Sequence, residues 1–243
     1  MAETDLIIKL AGVTFGYPQA PPILNGLDFE LRRGDKTGLV GYNGSGKTTL
    51  LHVIMGLRRH QTGRLEILGR PVVSDGDFRE VRQRVGLLFQ DADDQLFSPT
   101  VLEDVSFGPL NQGKTAAEAE EIARQVLAEV GLAGFEERVT HKLSGGEKKL
   151  AALATVLAMR PEALLLDEPT TGLDETTRER IAGVIQRLDL ACLLISHDYE
   201  FMARVTDRVY FMEQGRIRLD AAATVHSHYH VHSFGTYPHQ HDG

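Results

Sequence analysis

Three short segments of this chain combine residue types that can bind phosphate groups and activate water. Residues 41–48 read Gly-Tyr-Asn-Gly-Ser-Gly-Lys-Thr, residues 143–147 read Leu-Ser-Gly-Gly-Glu, and residues 164–169 read Leu-Leu-Leu-Asp-Glu-Pro. The first segment has the spacing of a phosphate-binding loop. The second is a short glycine turn that leads into a predicted helix, and such a turn is itself an anion site. Two phosphate-binding surfaces well separated in one sequence predict a nucleotide held between two copies of the chain.

The phosphate loop predicts how each of its residues contacts a nucleotide. Gly41, Gly44 and Gly46 allow backbone N–H groups to approach phosphate oxygens without an intervening side chain. Lys47 supplies a positive charge to the β and γ phosphates, and the Thr48 hydroxyl is a predicted Mg²⁺ ligand. The other predicted nucleotide contacts are Tyr42, Asn43 and Ser45 in this segment and Thr49 directly after it.

Polar side chains end three other predicted buried strands. Asp167 and Glu168 follow an apolar strand, which places them at the carboxyl edge of the sheet, near the same crevice. We expect Asp167 to hold Mg²⁺, directly or through water, and Glu168 to orient and deprotonate the attacking water. His197 can donate to the γ phosphate, and the Gln90 amide can touch both Mg²⁺ and the lytic water. Taken singly, each of these residues is also typical of an ordinary polar strand end.

Hydrophobic patterning predicts the elements that position these side chains. The predicted strands are residues 6–13, 27–31, 37–40, 65–68, 85–89, 163–166, 191–196 and 209–212. The predicted helices are residues 46–55, a run that opens with a capping box at Thr115 and Glu118 and stops at Gly131, and residues 147–159 and 175–188. Alternating strands and helices around a phosphate loop predict an α/β protein with a parallel core sheet and a helical insertion at about residues 92–160.

Composition narrows the class of partner. The chain has 243 residues, of which 42% are hydrophobic and 25% charged, as in an ordinary globular protein. Its formal net charge of -8 argues against a nucleic-acid partner. No apolar run approaches the roughly 18 to 20 residues that a membrane helix needs. The lone cysteine, Cys192, lies in an apolar strand pattern and is expected to be a small buried hydrophobic residue.

Taken in order, these elements resemble the nucleotide-binding subunit of ABC transporters over about residues 6–219. The residues that carry the resemblance are Tyr17, the loop 41–48, Gln90, the signature 143–147, residues 164–168, Gly172-Leu173-Asp174 and His197. The resemblance implies a P-loop NTPase with the ABC ATPase fold, which has a mixed or parallel core sheet, an N-terminal antiparallel β subdomain and a helical signature subdomain. It also implies an ATPase domain over residues 1–222, with ATP and Mg²⁺ as cofactors.

The resemblance further implies how two subunits share a nucleotide. They pair head-to-tail, as a homodimer in the simplest case, and ATP bound by one phosphate loop is capped by Ser144, Gly145 and Gly146 of the other subunit. Asp174 then carries communication across the dimer, and Tyr17 stacks on adenine.

A narrower likeness surrounds Gln90, over residues 89–97, 101–104 and 107–110. These segments are similar to the ATPase of energy-coupling-factor uptake systems, particularly those that import cobalt or nickel. The likeness implies an integral membrane transport protein and a substrate-binding membrane component as partners, and a location at the cytoplasmic face of the cell membrane. Leu150 stands where relatives often have a basic residue, and we expect it at the helix surface.

The last segment, residues 223–243, is rich in histidine and is expected to form a flexible tail. Its histidines are His226, His228, His230, His232, His239 and His241. The first four alternate with other residues, so an extended segment presents them on one side. Neutral imidazole favours Ni²⁺, Co²⁺, Cu²⁺ and Zn²⁺. A purification tag would have uninterrupted histidines, unlike this interleaved pattern with Tyr229, Tyr237 and Pro238. A sensor of nickel or cobalt, a local reservoir of these ions and an inert polar terminus all stay open for this segment.

The leading hypothesis is therefore an ATP-hydrolysing subunit of an importer for nickel or cobalt ions. A vitamin importer with the same motor is an alternative. An ABC ATPase that acts on DNA or ribosomes fits less well, because such relatives typically carry a coiled-coil insertion or tandem cassettes. A protein that serves chiefly to bind metal would leave the intact nucleotide motifs unexplained.

Overall fold

The computed structural model describes residues 5–219, which contain ten strands and seven α-helices. The strands are β1 (Leu6–Phe15), β2 (Leu24–Arg32), β3 (Lys36–Gly41), β4 (Thr62–Ile67), β5 (Arg70–Pro71), β6 (Val85–Leu88), β7 (Ala163–Asp167), β8 (Ala191–Ile195), β9 (Arg208–Glu213) and β10 (Arg216–Leu219). The helices are α1 (Lys47–Ile54), α2 (Asp75–Arg84), α3 (Val101–Asn111), α4 (Ala116–Glu129), α5 (Gly145–Leu157), α6 (Glu175–Arg187) and α7 (Tyr199–Val205). The histidine-rich segment lies outside the described residues, and so do its six predicted metal-binding histidines.

A six-stranded mixed sheet forms the centre of the fold, in the order β10-β9-β3-β8-β7-β6. β6, β7, β8, β3 and β9 run parallel, and only β10 is antiparallel to its neighbour. Every residue of β6, β7 and β8 is buried, because parallel strands are covered by other elements on both faces. The predicted parallel core sheet is confirmed, and its carboxyl edge gathers the ends of four strands that carry candidate site residues.

A second sheet contains four antiparallel strands in the order β2-β1-β4-β5. The apolar side chains of this sheet and of α1 pack against one face of the central sheet. Leu165 of β7 and Leu193 of β8 lie on that face. The neighbouring residues Leu164 and Leu194 point to the other face and pack against the helices. The period-two alternation of strand side chains therefore divides the core into two layers, one on each face of the central sheet.

The helical region contains the predicted capping box at the start of α4. Thr115 Oγ1 accepts a hydrogen bond from the backbone N–H of Glu118, and the Glu118 carboxylate accepts one from the backbone N–H of Thr115. Among the helices of the described residues, α2 and α7 were not predicted, and α3 was covered only by the predicted helical insertion at about residues 92–160. α2 begins with a capping box at Ser74 and Asp77, and aspartate at the third helical position is a weaker sequence signal than glutamate or glutamine.

Two details of α5 differ from the sequence predictions. The helix was predicted to begin at Glu147, but it begins at Gly145, because Ser144 is its N-cap and forms a capping box with Glu147. The two signature glycines therefore lie in the first helical turn and not in a turn before it. Leu150 was expected at the helix surface, but it is fully buried in the helical layer of the core. Within residues 5–219, no helix is both long and apolar enough to cross a bilayer.

Candidate nucleotide-binding and catalytic site

The phosphate loop connects the end of β3 to the start of α1, and its glycines have different structural requirements. Gly44 has φ of 78°, and Gly46, the N-cap of α1, has φ of 105°. A side chain at Gly46 would also meet Ile23 Cγ2 at 2.9 Å. A Cβ at Gly41 would lie 2.4 Å from the backbone oxygen of Met212. Backbone conformation and close packing therefore require glycine here, in addition to the predicted access of phosphate to the backbone N–H groups.

Lys47 is buried at the base of this loop, where its Nζ donates to the carbonyl oxygens of Gly41 at 2.8 Å and Tyr42 at 3.1 Å. Burial lowers the pKa of Lys47, while the negative charges of Glu168 and Asp167 oppose that shift. The ammonium group is thus held beside the loop by neutral carbonyls and two nearby carboxylates. A nucleotide phosphate can attract it more strongly than a carbonyl does.

The two candidate carboxylates lie at the end of β7 and are almost fully buried, with exposed fractions of 4% for Asp167 and 8% for Glu168. Glu168 has φ of 47°, a left-handed conformation that costs a residue with a Cβ about 1 kcal/mol or more. Its backbone N–H donates to the carbonyl of Ile195, which ties the strained residue to β8. Glu168 Oε2 accepts from Thr171 Oγ1 at 3.1 Å. The surrounding structure therefore fixes this carboxylate in place.

Several buried oxygens in this region have no hydrogen-bond donor among the described residues: Ser45 Oγ, Asp167 Oδ1 and Glu168 Oε1. His197 Nε2 lies 3.3 Å from Glu168 Oε1 but is not aligned as a hydrogen bond. Burial raises the pKa of Asp167, while a hydrogen bond from Thr48 opposes the shift. Buried oxygens without donors are costly. Carboxylate and hydroxyl oxygens are the ligand types that Mg²⁺ prefers, so this set fits a magnesium ion with its bound nucleotide.

A cleft of about 400 Å³ brings most of the predicted site residues together. The predicted residues that line it are Asn43, Gly44, Gly46, Lys47, Thr48, Thr49, Gln90, Asp167, Glu168 and His197. They come from the ends of β3, β6, β7 and β8, which meet at one edge because the strands are parallel. The cleft also contains Thr171, which the sequence did not indicate because no spacing rule links it to the motif.

The signature forms a separate surface, since Ser144, Gly145 and Gly146 do not line this cleft. Ser144 is exposed, and its backbone N–H donates to Glu147 Oε2 at 2.8 Å. A Cβ at Gly146 would lie 2.8 Å from Thr177 Oγ1. Thr177 in turn donates its hydroxyl to the predicted communication residue Asp174, the N-cap of α6, at 2.8 Å. The signature and Asp174 therefore belong to one region, where the starts of α5 and α6 are in contact.

Comparison with known proteins agrees with this geometry. The sequence profile of the ABC transporter family matches residues 24–171. The energy-coupling factor transporter ATP-binding protein EcfA of Methanothermobacter thermautotrophicus is 41% identical over 215 residues, which cover 87% of this chain and 69% of that protein.

Among solved structures, cbiO1 of Clostridium perfringens, described as part of the ABC transporter complex cbiONQ, superposes with a TM-score of 0.80 at 33% identity and 88% coverage of both chains. A dimeric structure of a bacterial ABC transporter cassette gives a TM-score of 0.79 at 25% identity, over 87% of this chain and 97% of that one.

This chain belongs to the ABC transporter family. It is an ATP-binding cassette with the ATPase fold of that family, similar to the energy-coupling type, and the predicted fold class and ATPase activity are confirmed. The cleft and the signature surface contain the residues of the two predicted halves of a composite nucleotide site, and the pairing of these halves stays a prediction.

Besides the signature and Asp174, four predicted nucleotide contacts of this cassette lie outside the lining of the cleft: Tyr17, Gly41, Tyr42 and Ser45. Tyr17 is 40% exposed and packs edge-on against Phe15, with the Arg58 guanidinium 5.8 Å from its ring centroid. Tyr42 is 70% exposed and contacts Phe211 edge-on. Both rings are accessible, so stacking of Tyr17 on adenine stays a prediction.

Proposed function

We propose that the chain is the motor subunit of an energy-coupling type importer, in which two copies pair head-to-tail and ATP binds between them. The observation that carries this proposal is the separation of the phosphate cleft from the exposed N-terminus of α5 within one chain. The first N–H groups of a helix have no acceptor within the helix, and they favour anions. A second copy can place this surface over the nucleotide in the cleft.

The proposed chemistry assigns one task to each group in the cleft. Lys47 binds the β and γ phosphates, and Thr48, Gln90 and Asp167 hold Mg²⁺. The bound ion neutralises charge on the phosphates. Glu168 orients the attacking water and accepts its proton at a carboxylate oxygen, and its left-handed backbone conformation fixes the direction of that oxygen.

The remaining groups act at the γ phosphate and between subunits. His197 donates to the γ phosphate from beside Glu168. Ser144, Gly145 and Gly146 of the second copy cap the same phosphate, and Asp174 connects the two sites through its contact with Thr177.

We further propose that an apolar groove of about 360 Å³ receives a helix of an integral membrane partner. Phe97 and Phe107 lie at this groove, are 67% and 47% exposed, and contact each other edge-on at 4.9 Å between ring centroids. The buried Asp104 carboxylate accepts hydrogen bonds from the backbone N–H groups of Phe97 and Ser98 and so fixes the backbone that carries the Phe97 ring. The groove also contains Phe89, the neighbour of Gln90, so a docked helix is adjacent to the catalytic cleft.

The docking proposal is tested with Phe97→Asp. We expect loss of co-purification with the membrane partner, because a charge replaces the most exposed aromatic ring of the groove, while the ATPase activity of the isolated chain is retained. Val73→Asp is the matched control, since Val73 is 76% exposed but lies outside the groove. Unchanged co-purification of the Phe97 variant would contradict the assignment of this surface.

For the cargo, we propose nickel or cobalt ions. The support is the likeness of the Gln90 region to metal-importing energy-coupling ATPases, together with the six histidines between residues 223 and 243. A vitamin importer is the second candidate, since energy-coupling cassettes with other cargo share the same nucleotide site. Both versions place the chain at the cytoplasmic face of the membrane, bound to a transport protein and a substrate-binding membrane component.

Reconstitution distinguishes these cargoes. The chain is assembled in lipid vesicles with its genome-neighbouring permease, and ATP hydrolysis is measured with Ni²⁺, Co²⁺ or vitamins on the opposite side. Stimulation by Ni²⁺ or Co²⁺ alone supports metal import. Stimulation by a vitamin alone would replace this proposal with the second candidate.

We propose that residues 223–243 form a metal-binding segment separate from the ATPase domain of residues 1–222. Deletion of residues 225–243 is expected to abolish most Ni²⁺ binding, measured by isothermal titration calorimetry, and to leave ATP hydrolysis intact. Within residues 5–219, no group of three or more His, Cys, Asp and Glu side chains is placed to hold a metal ion. Unchanged Ni²⁺ stoichiometry after the deletion would remove this segment from the proposal.

A further inference from the structure

Lys149 is a buried lysine of α5 that the sequence motifs do not assign to any function. Only 4% of it is exposed. Its Nζ donates to the backbone carbonyl of Gln90 at 2.6 Å and to that of Phe89 at 3.1 Å. Hydrogen bonds from a charged donor are about twice as strong as neutral ones. Lys149 of α5, here called the signature helix because it begins within the signature, thus binds the main chain at Gln90. Gln90 is the residue proposed to touch Mg²⁺ and the lytic water.

The charges around Lys149 favour this arrangement. Burial lowers the pKa of Lys149, and the carboxylates of Asp167, Asp91 and Glu168 oppose the shift. Two of these three carboxylates are the ones that line the cleft. A buried ammonium group that had only apolar neighbours would be strongly destabilising. Here the site carboxylates offset part of that cost, so Lys149 is electrostatically connected to the catalytic centre as well as bonded to Gln90.

Gln95 also connects the main chain next to Gln90 to α5. Its Oε1 accepts from the backbone N–H of Phe89, and its Nε2 donates to the Ala152 carbonyl and the Thr155 hydroxyl of α5. Residues 89–95, here called the Gln90 segment, are thus attached to one side of the signature helix by buried polar contacts. Lys148 also reaches the segment, through Asp93 at 2.6 Å, but the Asp93 carboxylate is 66% exposed. Exposed pairs of this kind contribute little.

We propose that Lys149 is a positioning residue, which holds the Gln90 segment on the signature helix and so fixes the Gln90 side chain at the cleft. The inference rests on the proposed role of Gln90 at the magnesium ion and the lytic water. Ser144 is the N-cap of the same helix. The position of Gln90 in one cleft therefore depends on the helix whose N-terminus, in the proposed dimer, caps the nucleotide of the second copy. The neighbouring Leu150 packs in the core and leaves the contact with the Gln90 segment to Lys149.

The first test compares Lys149→Met with Lys148→Met, which removes the same charge one residue away without touching the Gln90 carbonyl. Lys149→Met is expected to lower kcat about tenfold, because small displacements of a positioned group cost catalysis heavily. It should also raise the Mg²⁺ concentration for half-maximal activity. The affinity of Lys149→Met for a fluorescent ATP analogue in the absence of Mg²⁺ should stay within about twofold of that of the unmodified protein. For Lys148→Met, kcat, the Mg²⁺ dependence and this affinity should all stay within about twofold.

The second test is a double-mutant cycle with Gln90→Ala. If Lys149 acts through Gln90, then Lys149→Met causes little further loss of kcat on the Gln90→Ala background. An equal loss on both backgrounds would overturn the inference, because the lysine would then act independently of Gln90. Melting temperatures of all variants identify losses that come from unfolding. Lys149→Arg, which keeps the charge and the donors, should restore the Mg²⁺ dependence, and Lys149→Gln enters the cycle if the Met variant does not fold.

The results for Gln90→Ala and Lys149→Met distinguish a failure of the proposed role of Gln90 from a failure of the proposed role of Lys149. Gln90→Ala with full activity and unchanged Mg²⁺ dependence would remove the role of Gln90 itself. A folded Lys149→Met protein with unchanged kcat and Mg²⁺ dependence, beside an impaired Gln90→Ala protein, would overturn only the role of Lys149.

Discussion

At the scale of single residues, Glu168 shows how the fold fixes a proposed catalytic group. Its left-handed φ of 47° is maintained by the bond of its backbone N–H to Ile195, and Thr171 donates to one of its carboxylate oxygens. The other oxygen, Oε1, is buried without an aligned donor among the described residues. A carboxylate with one oxygen anchored and the other available is suited to accept a proton from water.

Glu168→Gln should therefore abolish the proton-accepting function while it preserves shape and hydrogen bonding. ATP hydrolysis is expected to fall by about a hundredfold or more, and a dimer with bound ATP should accumulate, measured by size-exclusion chromatography. Glu129→Gln, an exposed glutamate at the end of α4, is the control and should retain activity. Near-normal turnover in Glu168→Gln would mean that another group is the base.

Cys192 is the only cysteine of the chain, and it is 2% exposed in β8. Burial raises the pKa of its thiol to about 12. At pH 8 such a thiol is ionised in roughly one molecule in ten thousand, and only the thiolate reacts readily. The native protein should thus react with a disulfide reagent at least about a hundredfold more slowly than the guanidinium-unfolded protein. Rapid stoichiometric labelling of the native protein would contradict the buried position.

At the scale of elements, the start of α5 has two adjacent glycines with different neighbours. A Cβ at Gly145 would meet no atom of the described chain within 4 Å, whereas one at Gly146 would meet Thr177 Oγ1 at 2.8 Å. Gly146 therefore permits the contact between α5 and α6. Gly145 faces open space, which the proposed dimer fills with the nucleotide of the second copy.

Alanine substitution should separate these two requirements. Gly146→Ala is expected to lower the free energy of unfolding by about 1–2 kcal/mol, since Thr177 must shift. Gly145→Ala should leave it unchanged or raise it by about 0.5 kcal/mol, because alanine loses less conformational entropy in a helix. Both variants should lose ATPase activity. Urea unfolding measures the stabilities, and equal destabilisation by the two variants would contradict the packing at Gly146.

At the scale of the whole molecule, one chain carries both halves of the proposed nucleotide site but does not bring them together. The cleft lies at the carboxyl edge of the central sheet, and the signature lies at the exposed N-terminus of α5. Hydrolysis should therefore depend on association of two copies. This dependence is a property of the assembly and not of any single element.

Specific ATPase activity should accordingly rise with protein concentration at saturating ATP and level off where the dimer is fully formed. Mass photometry on the same samples gives the fraction of dimer at each concentration. Activity per chain should follow that fraction, since a monomer lacks the donors of the second signature. Constant specific activity down to concentrations at which only monomers are present would contradict the shared site.

The sequence predicted most of the elements that depend on local backbone geometry. The phosphate loop, the capping box of α4 and the buried strands before Asp167 and His197 are patterns of residue type and spacing, and the structure contains the corresponding elements. The missed start of α5 has a local cause too, since Ser144 and Glu147 have the same spacing as the capping box that was recognised at Thr115.

Tertiary structure alone decided which separate segments meet. The contact of Lys149 with the Gln90 carbonyl spans 59 positions, and that of Gly146 with Thr177 joins two helices across an intervening strand. Spacing rules describe neighbours along one element, whereas such contacts depend on how helices pack on the sheet. The sequence therefore determined the chemical groups of this cassette and the edge of the sheet where they lie. Packing determined which groups hold one another in place, because buried charges and close-packed glycines acquire their partners only when the core has formed.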